Sequence, residues 1–251
     1  MSMMTATGIE AVAAAAVHTR LGYATPLQLP PATLTKPLVR WRMQEDDQPI
    51  FRWLYRHHQP RRHLEFGTWR GEGACYLLEE TRATVWTINL FEGEAKPDGG
   101  YAYGESLADP PPGVRGRTLR DGRVEHQTDA FGCIGSEFRR RGLGHRVCQV
   151  HCNSLEWDTR NLPLGFFDSV LVDGGHDPAV VESDTRKALP LLRAGGLMLW
   201  HDFCLDDDVR TRCSSVRGVS DGVAAMHDTL RAGFADLFWI EPSWILVGVR
   251  A

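Results

Sequence analysis

The chain has 251 residues, enough for one large α/β domain with a sizeable buried core. Its formal net charge of −4 at pH 7 provides no global basic field, which argues against nucleic acid as a partner. No run approaches the ~20 apolar residues that span a bilayer. The Ala-rich patch at residues 11–17 has no basic segment before it, so a cytoplasmic protein with no membrane partner is expected.

In chain order, residues 1–45 read as an N-terminal extension. Its alanines suggest a helix over residues 8–20, and Pro26, Pro30, Pro31 and Pro37 punctuate an extended segment after it. The main domain is expected from residue 46 to 251. Residues 45–58 carry Ile50, Phe51, Leu54 and Tyr55 at helical spacing, which predicts an amphipathic helix ended by Gln59-Pro60 and placed to cover a ligand. Strands follow at 63–66 and 84–90, with a helix between them over 73–81.

The pattern collapses over residues 91–128, a stretch rich in glycine with Pro97 and Pro110-Pro111-Pro112. It is expected to be a substrate lid or, equally, a disordered loop. Helical spacing returns over 131–141. Strands are expected at 146–151, 167–172 and 197–200, and helices at 178–192 and 219–232 with a polar segment over 206–215 between them. Two final strands, 236–241 and 244–250, are separated only by Pro242-Ser243 and so must form an antiparallel hairpin. Alternating strands and helices imply a mostly parallel sheet with helices on both faces. The six cysteines form no C-x-x-C pair and are expected to be reduced packing residues.

In such a sheet, ligands lie outside the carboxyl ends of the strands. The first strand ends in Glu65-Phe66-Gly67-Thr68-Trp69-Arg70-Gly71-Glu72-Gly73, the pattern E-x-G-x-x-x-G-x-G, where glycine lets a ligand approach the backbone and the helix start offers free N–H groups. The spacing is not the G-x-G-x-x-G of a dinucleotide site. The other strand ends supply Asn89 and Glu92, His151, Asn153 and Ser154, Asp173-Gly174-Gly175-His176, and His201-Asp202. These polar groups either serve a ligand or cap helices and pair with one another.

The Glu65–Gly73 loop resembles motif I of class I S-adenosylmethionine (SAM)-dependent methyltransferases, and the terminal hairpin agrees with their Rossmann-like topology. The D-G-x-H after the fourth strand (Asp173 to His176) and the H-D after the fifth (His201-Asp202) resemble bacterial methyltransferase family 24, whose members act on small molecules and sugars. The resemblance covers about residues 62–202. It implies that Glu65, Gly67, Thr68, Trp69 and Gly71 line the cofactor, with Asp173 beside them. Asn89 or Glu92 would bind the ribose hydroxyls and Asn153-Ser154 would lie near the adenine. Asn89 and Asn153 stand where an acid is usual, so these bonds would lack charge assistance.

The same resemblance places Asp173, His201 and Asp202 where metal-dependent relatives hold a divalent cation, Mg²⁺, Mn²⁺ or a softer metal such as iron. Without a metal, His176 or His201 would serve as general base. Trp69, Trp157 and Trp200 either line a substrate pocket or belong to the core. The expected activity is methyl transfer to a hydroxyl of a small molecule. N-methyl transfer, a metal-dependent oxygenase and a catalytically silent SAM-binding scaffold remain the alternatives, and a homo-oligomer is a further expectation.

Overall fold

The computed structural model describes residues 8–90, 114–118, 124–128 and 134–251. Its elements in order are β1 (Glu10–Ala13), α1 (Val17–Leu21), α2 (Pro31–Leu34), α3 (Gln48–His58), β2 (Arg62–Phe66), α4 (Glu72–Glu80), β3 (Thr84–Asn89), β4 (Val114–Thr118), β5 (Val124–Thr128), α5 (Ser136–Arg140), β6 (Val147–His151), β7 (Phe167–Val172), α6 (Pro178–Ala188), β8 (Leu192–Trp200), α7 (Asp207–Arg212), α8 (Ser214–Ala225), α9 (His227–Gly233), β9 (Phe234–Glu241) and β10 (Leu246–Arg250). Eight strands form one sheet in the order β1-β9-β10-β8-β7-β2-β3-β6. β10 runs antiparallel to both its neighbours, and the other pairings are parallel.

Side chains alternate across the sheet, so each inner strand feeds two cores. Leu171, Leu197, Leu199 and Val247 pack under α3 and α4 with Phe51, Leu54, Leu77 and Leu78. Val170, Val172, Met198 and Trp200 pack under α6, α8 and α9 with Val181, Val219, Val223 and Leu230. β7 is buried at all six positions, as a central strand covered on both faces requires. Helices therefore cover both faces, and the hairpin is antiparallel as expected.

Four expectations need correction. Residues 10–13 form a strand rather than a helix. β1 pairs in parallel with the outer edge of β9 (Val12 opposite Ile240), and this edge pairing overrides the helix propensity of the alanines. The segment at 206–215 contains α7, whose Asp206 caps it by accepting from Val209 N–H at 3.0 Å. The helix expected over 219–232 is two helices, α8 and α9, meeting at Met226. Within 91–128, β4 and β5 pair as an antiparallel hairpin, so this stretch is not wholly loop. The rest of the expected lid, Glu92 included, lies outside the described residues. No described helix is long and apolar enough to cross a membrane.

Candidate active site

The site is built at the carboxyl ends of β2, β3, β7 and β8. The chain leaves β2 through Gly67, whose φ of 91° suits glycine; a Cβ there would stand 1.9 Å from the carbonyl oxygen of Asp173. Two backbone bonds fix the crossing: Gly67 N–H donates to Ile88 O at 2.8 Å, and Asp173 N–H donates to Phe66 O at 3.0 Å. Asp173 is thus held against the loop by the sheet itself.

Glu65 points into the protein and is 1 % exposed. Its Oε2 finds no hydrogen-bond partner among the described residues, and burial, with Asp173 nearby, raises its carboxyl well above the usual range. Gly73 leaves room for it, because a Cβ there would lie 2.4 Å from Glu65 Oε1. The buried Tyr55 hydroxyl is likewise without a partner among the described residues, and it senses the charges of Glu65 and Asp173. Orphaned polar atoms beside a glycine-lined turn fit a zwitterionic ligand end.

The loop is stapled by Asn89, whose Oδ1 accepts from the N–H groups of Thr68 (3.0 Å) and Trp69 (3.1 Å). Its amide oxygen therefore holds the loop, and its Nδ2 donates to Leu90 O. Thr68 is buried with its hydroxyl 2.6 Å from that of Thr87. Trp69 adopts φ 40° and is 49 % exposed at the loop's tip. Gly71, at φ 89°, lies against Phe138 of α5. Asn153 closes a turn by accepting from Leu155 N–H at 3.0 Å, and the Ser154 carbonyl takes a bond from Lys187. Of the tryptophans, Trp200 is fully buried and bonded to Thr185, so it is core; Trp157 packs edge-on against Phe66.

The second half of the site is an acid–imidazole cluster. Asp173, His201 and Asp202 each offer one ligand atom, all within 4.8 Å of one another. His201 Nδ1 lies 3.0 Å from Asp173 Oδ1 and 3.7 Å from Asp202 Oδ2. Burial alone would lower the His201 pKa, but these two carboxylates outweigh it and raise it well above the ordinary value. Asp202 sits at φ 55°, a left-handed conformation that Asp tolerates better than most residues. Its Oδ2 meets His176 Nε2 at 2.8 Å. The structure thus brings together all four residues at the ends of β7 and β8 that the sequence singled out.

One member was missed. Asp47, 0 % exposed, closes the π-helical turn Met43–Asp47 that leads into α3. Its Oδ2 lies 3.2 Å from His201 Nε2, and its Oδ1 accepts from Trp244 N–H at 3.2 Å. The signal was helical spacing: Asp47, Phe51 and Tyr55 fall four residues apart and face the site together. The ring of Phe51 lies 5.7 Å from that of His201.

This strand order, seven strands running the same way and an antiparallel β10 inserted between β8 and β9, is the class I methyltransferase arrangement with β1 added at its edge. A family model described as "Methyltransferase domain", that of methyltransferase family 24, matches residues 64–203, more than half of the chain. The chain belongs to that family of class I SAM-dependent methyltransferases, as the two strand-end motifs had implied. Among solved structures, it is similar in fold to an SAH-bound methyltransferase from Podospora anserina, at 16 % identity and TM-score 0.53 with 93 % of each chain covered. It is also similar to a putative caffeoyl-CoA O-methyltransferase from Staphylococcus aureus (14 % identity, TM-score 0.52, covering 81 % of this chain and 82 % of that one). A third is an O-methyltransferase family protein from Burkholderia thailandensis (16 % identity, TM-score 0.51, covering 83 % and 57 %). No curated protein matches the chain in sequence.

Proposed function

We propose that this methyltransferase acts on a hydroxyl group of a small molecule, such as a sugar or secondary metabolite, with a divalent cation at Asp173, His201 and Asp202. The observation that carries the proposal is that ligand cluster standing directly against the Gly67 turn. O-methyl transfer also agrees with the names of the similar structures from Staphylococcus aureus and Burkholderia thailandensis.

The donor set fits a cation: two carboxylates and one imidazole nitrogen, preorganised on adjacent strand ends. When bound, SAM supplies an electrophilic methyl and the cation supplies Lewis acidity to the acceptor oxygen. Glu65 and Asp173 are the residues that would hold the ammonium of the methionine end, and the glycine at position 67 would leave room for that end against the backbone. Asn89 keeps the loop N–H groups occupied, so recognition of the ribose falls to residues beyond it.

His176 takes the acceptor's proton. Its Nε2 is engaged by Asp202, which leaves Nδ1 as the accepting atom and stabilises the imidazolium that forms. Burial works against that charge, but the bond to Asp202 outweighs it and raises the pKa. The His176 side chain is 40 % exposed, so the acceptor can reach it.

The experiment is methyl transfer from labelled SAM to a panel of catechols, phenols and sugars, with Mn²⁺ or Mg²⁺ and with a chelator. Turnover of a hydroxyl acceptor that the chelator abolishes supports the proposal. Turnover of amines only rejects the acceptor class, and full turnover under chelation rejects the cation.

A further inference from the structure

His201 is an unusual ligand because both of its nitrogens already face carboxylates. Nδ1 looks toward Asp173 and Asp202, the two acids of the proposed cation site. Nε2 looks the other way, to Asp47 Oδ2 at 3.2 Å. An imidazole can give only one nitrogen to a cation, and its other N–H then needs an acceptor. The chain supplies that acceptor from a distant segment, 154 residues earlier.

Asp47 is itself immobilised. Its second oxygen is tied to the backbone of Trp244 beside the β9–β10 hairpin, and the whole residue is 0 % exposed. The imidazole is packed between the rings of Phe51 at 5.7 Å and Trp244 at 6.5 Å, so it cannot swing away from that partner cheaply. A carboxylate is costly to bury without a role. A helix start held to a hairpin could be secured by a neutral side chain, whereas only an acceptor facing Nε2 fixes which nitrogen looks at the site.

We propose that Asp47 is a positioning residue of the active centre: it holds the Nε2–H of His201 and thereby presents Nδ1 to the cation shared with Asp173 and Asp202. The proposal rests on the cation reading given above. It makes the turn Met43–Asp47, where the chain enters α3, one wall of the centre. It also assigns the ion-binding role to Nδ1 and excludes Nε2.

The test is titration of Mn²⁺ alone into the wild-type protein and into Asp47→Ala and Asp47→Asn, together with the visible d–d spectrum of each protein loaded with Co²⁺. The spectrum reports nitrogen ligation, which a merely structural role for Asp47 would leave unmoved. Loss of an outer hydrogen-bond partner typically weakens a metal site ~10–100-fold. The expected result for Asp47→Ala is weakening of that size and a Co²⁺ spectrum shifted toward that of His201→Ala. Asp47→Asn keeps an acceptor and falls between. Should Asp47→Ala fail to fold, the spectrum and affinity of Asp47→Asn decide. Wild-type Mn²⁺ affinity and an unchanged Co²⁺ spectrum in the variants would overturn the proposal while leaving the cation site standing. A wild-type protein that binds neither ion would overturn the cation reading, and this proposal with it.

Discussion

Gly67→Ala puts the smallest side chain at the point where the motif loop crosses the strand that carries Asp173. Two costs are expected. The first is the left-handed backbone, φ 91°, which costs an L-residue roughly 1–2 kcal/mol. The second is steric, because the new Cβ would start 1.9 Å from Asp173 O and 2.8 Å from Gly174 Cα. Relief requires the backbone at 173–174 to retreat by about 1 Å or more, and overpacking of that kind costs about 1–3 kcal/mol. Gly142 provides an internal control: it also has a left-handed φ, 71°, but nothing lies within 4 Å of a Cβ built there. Gly142→Ala should therefore lose only the backbone part.

Urea unfolding of both variants separates the terms: about 2–5 kcal/mol lost for Gly67→Ala against about 1–2 for Gly142→Ala. The displaced Asp173 adds a functional readout, since a misplacement of ~1 Å at a reacting centre can cost ~10²-fold in rate. Gly67→Ala should lose SAM affinity and activity, and Gly142→Ala should keep both. Equal stability losses in the two variants, to within ~0.5 kcal/mol, together with wild-type SAM affinity, would refute the close-crossing argument.

His176→Gln should lower kcat by about 10²–10⁴ while SAM binding persists. Because the base must be unprotonated to act, the wild-type kcat should fall on the acid side, and the variant should lack that limb. Asp168 accepts from Arg61 N–H and Arg62 N–H, both at 2.9 Å, and from Arg193 at 2.7 Å. Asp168→Ala should destabilise by about 2–4 kcal/mol at pH 7. Burial would raise this carboxyl, but these bonds outweigh it and hold it low. The contribution is therefore present above the ordinary Asp pKa and shrinks as pH falls through the folded value, which unfolding of wild type and variant at pH 7 and pH 3 would show.

His63 is buried, with Nδ1 2.7 Å from Ser169 Oγ, and burial pushes its pKa down to about 3. Only the unfolded chain takes up its proton below about pH 6.5, so stability should fall by about 1.4 kcal/mol per pH unit on acidification from there. His63→Gln should flatten that slope in urea unfolding between pH 6.5 and pH 4.5.

Most of the sheet was legible because its strands are short apolar runs bounded by glycine, proline or a polar end, as at residues 63–66 and 167–172. Asp173, His176, His201 and Asp202 were found by a topological rule: groups at the carboxyl ends of neighbouring parallel strands meet in space. Asp47 escaped because it comes from a segment with no strand-end logic and reaches the site only through the turn before α3. β1 escaped because its pairing is decided by the free edge of β9, a tertiary fact that local alanine propensity contradicts. Asn89 was expected at the ribose, but its engagement with the loop N–H groups depends on the turn after Gly67, which sequence spacing does not specify.

Isothermal titration of SAM into the wild-type protein and into Gly71→Arg tests the central claim most directly. Saturable binding to the wild type is the predicted result. Gly71 has φ 89° and a built Cβ only 2.5 Å from Phe138 Cδ1, so an arginine must displace the turn, and binding should vanish in that variant. No heat of binding in the wild type, with Mn²⁺, with Mg²⁺ or without either, would contradict the account.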